Sequence, residues 1–343
     1  MMRLPLSWLL AFTTAALALL LLGSLATGPM TLTLGESLRA LFAGQESGIE
    51  SHKLLIVQEI RLPRTLLCIA VGGILGLCGA VMQGLFRNPL ADPGIIGVSG
   101  GAALGAALAI VLLAPLGQQL QATIGVGLLP LLAFLGGALT TTLVYLLGTR
   151  EGGTSVTVML LAGVAITALS GAVIGLLTYL ADDQMLRNLS LWQMGTLAAG
   201  KPADVALALL TLAALLWLFM RDANPLNALL LGEGEARHLG VNVQSLKRRL
   251  ILLTAAGVGV AVAVSGMIGF VGLVVPHLVR LLAGPNHVRL LPLSALLGAA
   301  LLLAADMLAR TLLAPAELSV GIITALLGAP FFIWLLVKGR RAL

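Results

Sequence analysis

Long apolar runs separated by short polar stretches dominate the chain. Each long run is near or above the roughly 17–25 residues that a helix needs to cross a bilayer. The longest runs are Leu9–Leu25, Leu66–Leu85, Leu128–Leu147, Val156–Leu180, Val205–Met220, Ile251–Val275, Leu290–Leu308 and Val320–Val337. With shorter glycine-rich stretches such as Ile95–Leu113 added, the pattern predicts about ten transmembrane helices.

Composition agrees with this pattern. Of the 343 residues, 59% are hydrophobic and only 10% are charged, and the mean hydropathy is +1.06. A soluble domain carries about 25% charged residues, so the polar surface here is too small to cover a soluble globule. We therefore predict an all-α polytopic membrane protein with a single transmembrane domain, 1–343, whose N-terminal apolar run is an uncleaved first helix rather than a signal peptide.

The net charge of +6 indicates membrane orientation rather than nucleic-acid binding, because Lys and Arg collect on the cytoplasmic side of membrane proteins. With the N-terminus inside and ten alternating spans, seven of the 20 basic residues lie outside. These are Arg39, Lys53, Arg61, Arg64, Arg187, Lys201 and Arg310. The bias predicts that both termini are cytoplasmic and that no nucleic acid is bound.

Two motifs that could carry chemistry are weak. Gly195, Gly200 and Lys201 match a phosphate-binding loop, but Pro202 replaces the Ser or Thr that ligates Mg²⁺ and apolar helices flank the segment. Cys68 and Cys78 are ten residues apart in one predicted helix, about 15 Å, which is too far for a disulfide. We predict no catalytic site and no metal site, and ATP hydrolysis on a separate chain.

Weak internal similarity indicates a duplication. Residues 66–73 resemble residues 252–259, and residues 105–108 resemble residues 298–301. Together the two matches predict duplicated four-span units, spans 2–5 and 7–10, and an offset of five spans inverts the second copy. Many transporters are built from such inverted repeats, with a pathway at their interface.

Two proline-containing stretches interrupt the apolar pattern, at Asn88–Pro93 and at Val275–His277. Proline removes an amide donor and breaks a helix. Non-helical backbone at membrane depth is tolerated where it is buried in protein or lines a cavity. The first stretch therefore predicts a pathway boundary, with a simple loop bend as the alternative.

Several stretches, in order along nearly the whole chain, resemble the FecCD-type permease family, the membrane subunits of ABC importers for ferric siderophores, heme and cobalamin. They are RLPR (61–64), GAVMQGLFRNPLADPGIIGVSGG (79–101), MLLAGVA (159–165), LWQMGTL (191–197), LGEGEARHLGV (231–241), SGMIGFVGLVVPHLVRLLAGP (265–285) and VGIITALLGAPFFIWLL (320–336). The resemblance implies a type II importer in the bacterial inner membrane. Its expected assembly is a homodimer of ten-helix permeases, two ATPase subunits inside and a periplasmic binding protein outside.

The resemblance implies a docking site for the binding protein at Arg61, Arg64 and Arg310. Exposed arginines suit bidentate capture of carboxylates, and contact with lipid headgroups is the alternative. Asp306 lies four residues before Arg310, which favours a local ion pair over a proton relay.

The resemblance also implies contacts to the ATPase in the inner loop between spans 6 and 7. Asn224-Pro225 is typical of a helix start, Gly232 of a break and Gly240 of a second helix end. The candidate contacts are Glu233, Glu235, Arg237, His238 and Leu239. A solvated cytoplasmic loop is the alternative.

Asn88 and Leu90 match a constriction at the cytoplasmic mouth of the pathway, and Thr154–Thr157 is a candidate second element of that gate. For the pathway itself, soft or charged side chains suggest four lining residues. They are Met82, Met185, Arg187 and Met194.

The sequence of the last third of the chain is most similar to heme permeases. This resemblance implies heme as the transported cargo and a periplasmic heme-binding protein as a partner. It also implies that ATP and Mg²⁺ bind to the partner ATPase. None of the four histidines is a clear heme ligand. A ferric siderophore or cobalamin is the alternative cargo. An ion-coupled secondary transporter is the alternative class, and it would require paired intramembrane acids and no docking loop.

Overall fold

The computed structural model describes residues 5–30, 32–42, 50–114, 116, 127–150, 153–198 and 200–340. The helices are α1 Leu6–Ala26, α2 Leu34–Phe42, α3 Ser51–Leu55, α4 Leu62–Leu85, α5 Val98–Val111, α6 Leu128–Gly148, α7 Val156–Leu180, α8 Asp183–Gln193, α9 Pro202–Arg221, α10 Ala223–Leu230, α11 Glu233–His238, α12 Val243–Ser265, α13 Val271–Ala283, α14 His287–Ala309 and α15 Val320–Arg340. A π-helical turn, Ile56–Arg61, joins α3 to α4, and a 3₁₀ helix, Pro93–Ile96, precedes α5. Strands β1 Thr149–Arg150 and β2 Gly153–Thr154 pair antiparallel.

Within the described ranges, seven helical segments are long and apolar enough to cross a membrane, and three shorter apolar helices accompany them. The long ones are α1, the continuous segment α3–α4, α6, α7, α9, α12 and α14, and the short ones are α5, α13 and the first part of α15. The all-α polytopic fold and the approximate count of ten spans are confirmed.

Local capping determines where several helices begin. Ser155, Asp182, Asn242 and Asn286 each occupy the N-cap position, and each side chain accepts a hydrogen bond from a backbone amide of the first turn. These short polar side chains satisfy amides that have no partner within the helix.

Helix α4 lies at the centre of the bundle and packs on α14 through small residues. A Cβ added to Gly72 would lie 2.4 Å from the carbonyl oxygen of Gly298, and one added to Gly76 would lie 2.4 Å from the carbonyl oxygen of Ser294. Such distances mean that the two backbones touch. Small residues at helix interfaces allow this approach in lipid, where packing replaces the hydrophobic effect.

In chain order the ten spans are α1, α4, α5, α6, α7, α9, α12, α13, α14 and α15. Contacts between these helices repeat with an offset of five spans. Helix α4 contacts α13 and α14, and its counterpart α12 contacts α5 and α6. The pairs α5–α6 and α5–α7 likewise correspond to α13–α14 and α13–α15. These correspondences fit the two predicted repeats. The sequence match between residues 105–108 and 298–301 joins α5 to α14, which are not counterparts, so that match was misleading.

Each repeat contains one sharp break directly before its short helix. Gly97 (φ 83°) precedes α5, and Phe270 (φ 68°) precedes α13. Glycine adopts this left-handed conformation without penalty, whereas phenylalanine is strained there. A Cβ on Gly328 of α15 would lie 2.4 Å from Cβ of Phe270. The strained Phe270 therefore packs tightly against the backbone of α15.

The predicted break at Val275–His277 is wrong, because Pro276 lies inside α13 and the interruption is residues 266–270. Proline removes the hydrogen bond to the carbonyl four residues earlier, which is that of Gly272. The Gln83 side chain compensates by donating to the Gly272 oxygen at 3.4 Å and to the Leu273 oxygen at 3.2 Å. The apolar run Ile251–Val275 is therefore parts of two helices.

Candidate functional site

A buried ionic cluster occupies the outer end of the bundle, by the topology inferred from the sequence. Arg64 Nε lies 3.0 and 3.1 Å from the two carboxylate oxygens of Asp306, and Arg64 Nη2 lies 2.9 Å from Oδ1. Asp306 is fully buried. On its other side Arg64 donates from Nη1 to Glu317 Oε2 at 2.8 Å, and the Glu317 side chain is 34% exposed.

Arg310 completes this cluster and ties it to α1. Its Nε lies 3.3 Å from Asp306 Oδ2, its Nη2 donates to Ser24 Oγ at 2.5 Å, and its Nη1 donates to the Thr27 carbonyl oxygen at 3.0 Å. Ser24 also hydrogen bonds to Thr65 at 2.6 Å. The ion pair expected within α14 is therefore present, but it is only one edge of a larger network.

Arg61 also binds the end of α1, through backbone carbonyl groups. Its Nη1 donates to the carbonyl oxygens of Leu25 at 2.7 Å and Ala26 at 2.9 Å, and its Nη2 donates to that of Met30. The last carbonyls of a helix have no partner within the helix. Arg61 satisfies two of them.

The docking hypothesis assumed that its three arginines are exposed, and this assumption is wrong. Arg61, Arg64 and Arg310 are 4%, 6% and 2% exposed. Their burial is compensated within the chain. Arg64 and Arg310 neutralise Asp306, and Arg61 and Arg310 donate to carbonyl oxygens at the end of α1. Docking of a partner protein at this end stays a prediction, but Glu317 is the solvent-facing carboxylate of the cluster.

At the other end of the bundle, α10 and α11 form the predicted inner loop. Gly232 (φ 123°) separates them and Gly240 (φ 83°) follows α11, as the sequence predicts. Helix α10 begins at Ala223, two residues before the predicted first helical residue Pro225, with Asp222 rather than Asn224 in the N-cap position. Glu235, Arg237, His238 and Leu239 are exposed. They form a continuous solvent-facing surface of α11 and its C-cap.

Glu233 differs from the other predicted contact residues because it holds α11 in place. Its Oε1 accepts a hydrogen bond from Lys247 Nζ at 2.7 Å, and the same Nζ donates to the Thr154 carbonyl oxygen at 3.2 Å. Gln244 Oε1 accepts from the Thr154 hydroxyl at 3.1 Å. Lys247, only 3% exposed, thus joins α11 and α12 to strand β2. No pattern in the sequence indicated this lysine.

The predicted gate residues lie in the loop after α4. Asn88 Oδ1 accepts from the Leu90 amide at 2.9 Å, and Asp92 Oδ1 accepts from the Gly94 amide at 2.7 Å and caps the 3₁₀ helix. These bonds fix the loop conformation. A narrow groove lies between this loop and helices α13 and α15. Its lining residues are Pro89, Leu90, Leu273, Val274, His277, Phe331, Phe332 and Leu335.

The four residues predicted to line the pathway differ in their exposure. Met82, on α4, is fully buried, so it lines no open pathway in this structure. Met185 is half-buried and Arg187 is exposed, both on α8. Met194 is 43% exposed. The last three lie in or directly after one short helix, α8, at the predicted outer end.

The histidines show no metal-binding arrangement. His287 is buried and its Nδ1 lies 3.0 Å from Asn227 Oδ1, and the His277 ring lies 6.0 Å from that of Phe331. Among the residues that the structure describes, His, Cys, Asp and Glu form no group of three or more that could hold a metal ion. Both cysteines are buried and free.

Comparisons with known proteins extend over almost the whole chain. The model of the FecCD transport family matches residues 16–338. The chain is 47% identical over 336 residues to the hemin transport system permease protein HmuU of Yersinia pestis, covering 97% of this chain and 96% of that protein. It is 43% identical over 297 residues to the cobalamin import system permease protein BtuC of Halobacterium salinarum, covering 87% and 77%.

A solved structure agrees with these sequence relatives. It is described as an inward-facing conformation of a putative metal-chelate type ABC transporter. The TM-score is 0.82 at 33% sequence identity, and the match covers 97% of this chain and 99% of the other. The bundle of α1–α15, with its two broken repeats, is thus the fold of a transporter permease, and the chain belongs to the FecCD transport family.

Proposed function

We propose that this chain is the permease subunit of an ATP-driven importer that moves heme across the bacterial inner membrane. The observation that carries the proposal is the near full-length, 47% identity to a permease named for hemin transport. Several relatives at 40–44% identity are named for cobalamin or vitamin B12 import, so cobalamin is the second candidate. A ferric siderophore is the third.

Two copies of the chain form the pathway in this proposal, with both termini in the cytoplasm. The exposed surface of helix α7 supports this dimer, because only 17% of the residues in its apolar 18-residue segment are buried within one chain. Leu161, Leu169 and Leu176 are each at least 60% exposed on this helix. A second copy covers part of this surface, and lipid covers the rest.

Separate ATPase subunits supply ATP hydrolysis. The segment Gly195–Lys201, which resembles a phosphate loop, follows helix α8 rather than a strand, and Pro202 begins α9. A working phosphate loop follows a strand and uses a hydroxyl on Mg²⁺. This chain therefore acts as a permease without its own catalytic residues.

Coupling to the ATPase runs through α11 and Lys247. The ATPase contacts the exposed surface of Glu235, Arg237, His238 and Leu239. Displacement of α11 is passed through Glu233 and Lys247 to Thr154, at the start of the segment predicted to gate the inner mouth. The bond between Glu233 and Lys247, 2.7 Å long and partly buried, is charge-assisted, and such bonds are about twice as strong as neutral ones.

The binding protein docks at the outer end, over the cluster of Arg64, Asp306, Arg310 and Glu317. Closure of the ATPase dimer on ATP then switches the pathway between outer and inner openings. The chemistry within this chain is release and passage only, since no bond in the cargo is made or broken. Exposed Arg187 is a candidate contact for acidic groups of the cargo.

Cargo uptake tests the proposal. The permease is reconstituted in proteoliposomes with its ATPase and binding protein, and the accumulation of heme, cobalamin and a ferric siderophore is compared with ATP and with a non-hydrolysable analogue. We expect ATP-dependent accumulation of heme alone. Accumulation of cobalamin or the siderophore instead would overturn the heme assignment while leaving the family intact.

A further inference from the structure

Helix α4 ends in a backbone motif that favours glycine, yet an arginine occupies the critical position. The Asn88 amide donates to the Gln83 carbonyl oxygen and the Arg87 amide donates to that of Gly84, each at 3.2 Å. This pair of bonds is a Schellman motif, whose left-handed residue after the C-cap is usually glycine. Here that residue is Arg87, with φ 49°. The chain thus keeps a long cationic side chain where glycine would be less strained.

The Arg87 side chain extends from the end of α4 to the break in the inner loop. Its Nη1 lies 3.9 Å from the position that a Cβ of Gly232 would occupy. Gly232 (φ 123°) separates α10 from α11. Arg87 therefore joins two irregular points of the inner end, the turn that closes α4 and the turn between the two short helices.

In this conformation the guanidinium and the nearest end of α10 both lack partners. Arg87 is exposed, and its side chain forms no ion pair or hydrogen bond within the described ranges. Of the backbone amides that the structure describes, none donates to the carbonyl oxygens of Leu230 and Leu231, the last residue and the C-cap of α10. Free carbonyls at a helix C-terminus carry partial negative charge and attract a cation.

We propose that Arg87 is a positioning residue for transport, whose guanidinium binds the carbonyl oxygens of Leu230 and Leu231 when the inner loop moves toward the bundle. The inference rests on the proposed function, which supplies the ATPase that moves this loop. A guanidinium carries five donors in a rigid fork, so it can bind two neighbouring carbonyl groups at once.

This contact ties the inner loop to the predicted gate. Arg87 directly precedes Asn88, whose Oδ1 accepts from the Leu90 amide at 2.9 Å. The two Schellman bonds fix the Arg87 backbone to the last turn of α4, so the loop moves relative to a donor that stays in place. Movement of the α10–α11 break is thereby passed to the gate residues by a route separate from the Lys247 link.

Arg87→Gly separates this role from a structural one. Glycine suits the left-handed position and deletes the side chain, so a purely structural residue would be replaced without loss. We expect the thermal midpoint of the permease to equal or exceed that of the wild type, with unchanged ATPase co-purification and continued ATP hydrolysis. Cargo moved per ATP is expected to fall about tenfold, the change in an equilibrium constant when a hydrogen bond from a charged donor is lost.

Two further variants calibrate this result. Arg87→Lys keeps the charge and a donor but not the fork, so it is expected to recover part of the ratio of cargo to ATP. Arg248→Met is the matched control, since it removes an exposed guanidinium from α12, and it is expected to match the wild type in all four measurements.

An unchanged ratio of cargo to ATP in Arg87→Gly overturns the inference. A lower thermal midpoint that accompanies the lower ratio assigns Arg87 a structural role, and loss of ATPase co-purification assigns it a direct contact with the ATPase; each also overturns the inference. The ratio is measured with whichever of heme, cobalamin or ferric siderophore the wild type accumulates, so a different cargo overturns the heme proposal alone. A wild-type importer that accumulates none of them overturns both.

Discussion

Asp306 lies 2.9 Å from Arg64, a residue 242 positions earlier in the chain, and is fully buried beside it. The pair joins α14 to the start of α4. Because Arg310 also contacts this carboxylate, loss of its charge leaves two buried cations without compensation. We expect Asp306→Asn to lower the free energy of unfolding by about 3–5 kcal/mol, the cost of breaking a buried ion pair.

Thermal unfolding of the detergent-solubilised permease measures this effect. Glu59→Gln is the control, since it removes an exposed carboxylate at the same end and is expected to change the free energy of unfolding by less than about 0.5 kcal/mol. Equal midpoints for Asp306→Asn and wild type would contradict a structural role for the cluster.

Close backbone packing predicts a second effect, at Gly79. A Cβ there would lie 2.0 Å from the carbonyl oxygen of Gly272 in α13, so Gly79→Ala forces α4 away from α13. Overpacking of this kind costs about 1–3 kcal/mol or more. Gly171→Ala in α7 is the control, because a Cβ added there has no neighbour within 4 Å. Equal yield and thermal stability of the two variants would refute the contact.

The link from α11 to strand β2 predicts uncoupling. Lys247→Met preserves side-chain length but removes the bonds to Glu233 and to the Thr154 carbonyl oxygen. We expect ATP hydrolysis to continue in the reconstituted importer while cargo moved per ATP falls several-fold. Arg248→Met, at an exposed neighbouring position, is expected to keep the wild-type ratio. A parallel fall of hydrolysis and transport in Lys247→Met would instead indicate misfolding or lost ATPase binding.

A pH effect is expected at α2. The Thr33 amide and hydroxyl, followed by Lys53, lower the pKa of Glu36 from 4.5 to about 2, and Thr33 and Glu36 form a capping box at the start of this helix. A carboxyl whose folded-state pKa is depressed stabilises the fold above its unfolded pKa. This contribution is therefore complete above about pH 4.5 and is lost as the pH falls toward 2.

Amide exchange of α2, compared at pH 5.5 and pH 3 after correction for intrinsic rates, measures this loss. Protection is expected to fall at the lower pH in the wild type. Glu36→Gln lacks the titrating group, so its corrected protection is expected to be low at both pH values. A pH dependence that persists in Glu36→Gln would assign the effect to another carboxylate.

Local signals in the sequence predicted local features well. Apolar runs of sufficient length identified the long spans, because composition alone decides what a bilayer accepts. Gly232 and Gly240 were correctly placed at helix ends, since a positive φ favours glycine wherever it occurs. The broken segment after α4 was also predicted, because two prolines lie within six residues.

Features that depend on distant residues were not predictable in the same way. Pro276 stays inside α13 because the proline leaves the Gly272 carbonyl oxygen free and Gln83, 189 positions before Gly272, donates to it. The outer arginines are buried because Arg64 meets an aspartate on another helix. Met82 was assigned to a pathway because the sequence cannot tell which face of an entirely apolar helix is covered.

The contacts of α4 also limit how this molecule can change shape. At Gly72, Gly76 and Gly79 the neighbouring backbones touch directly, so no side chain is available there to change rotamer and absorb a sliding movement. We therefore expect α4, α13 and α14 to move together as one block, so that sliding between helices falls outside it.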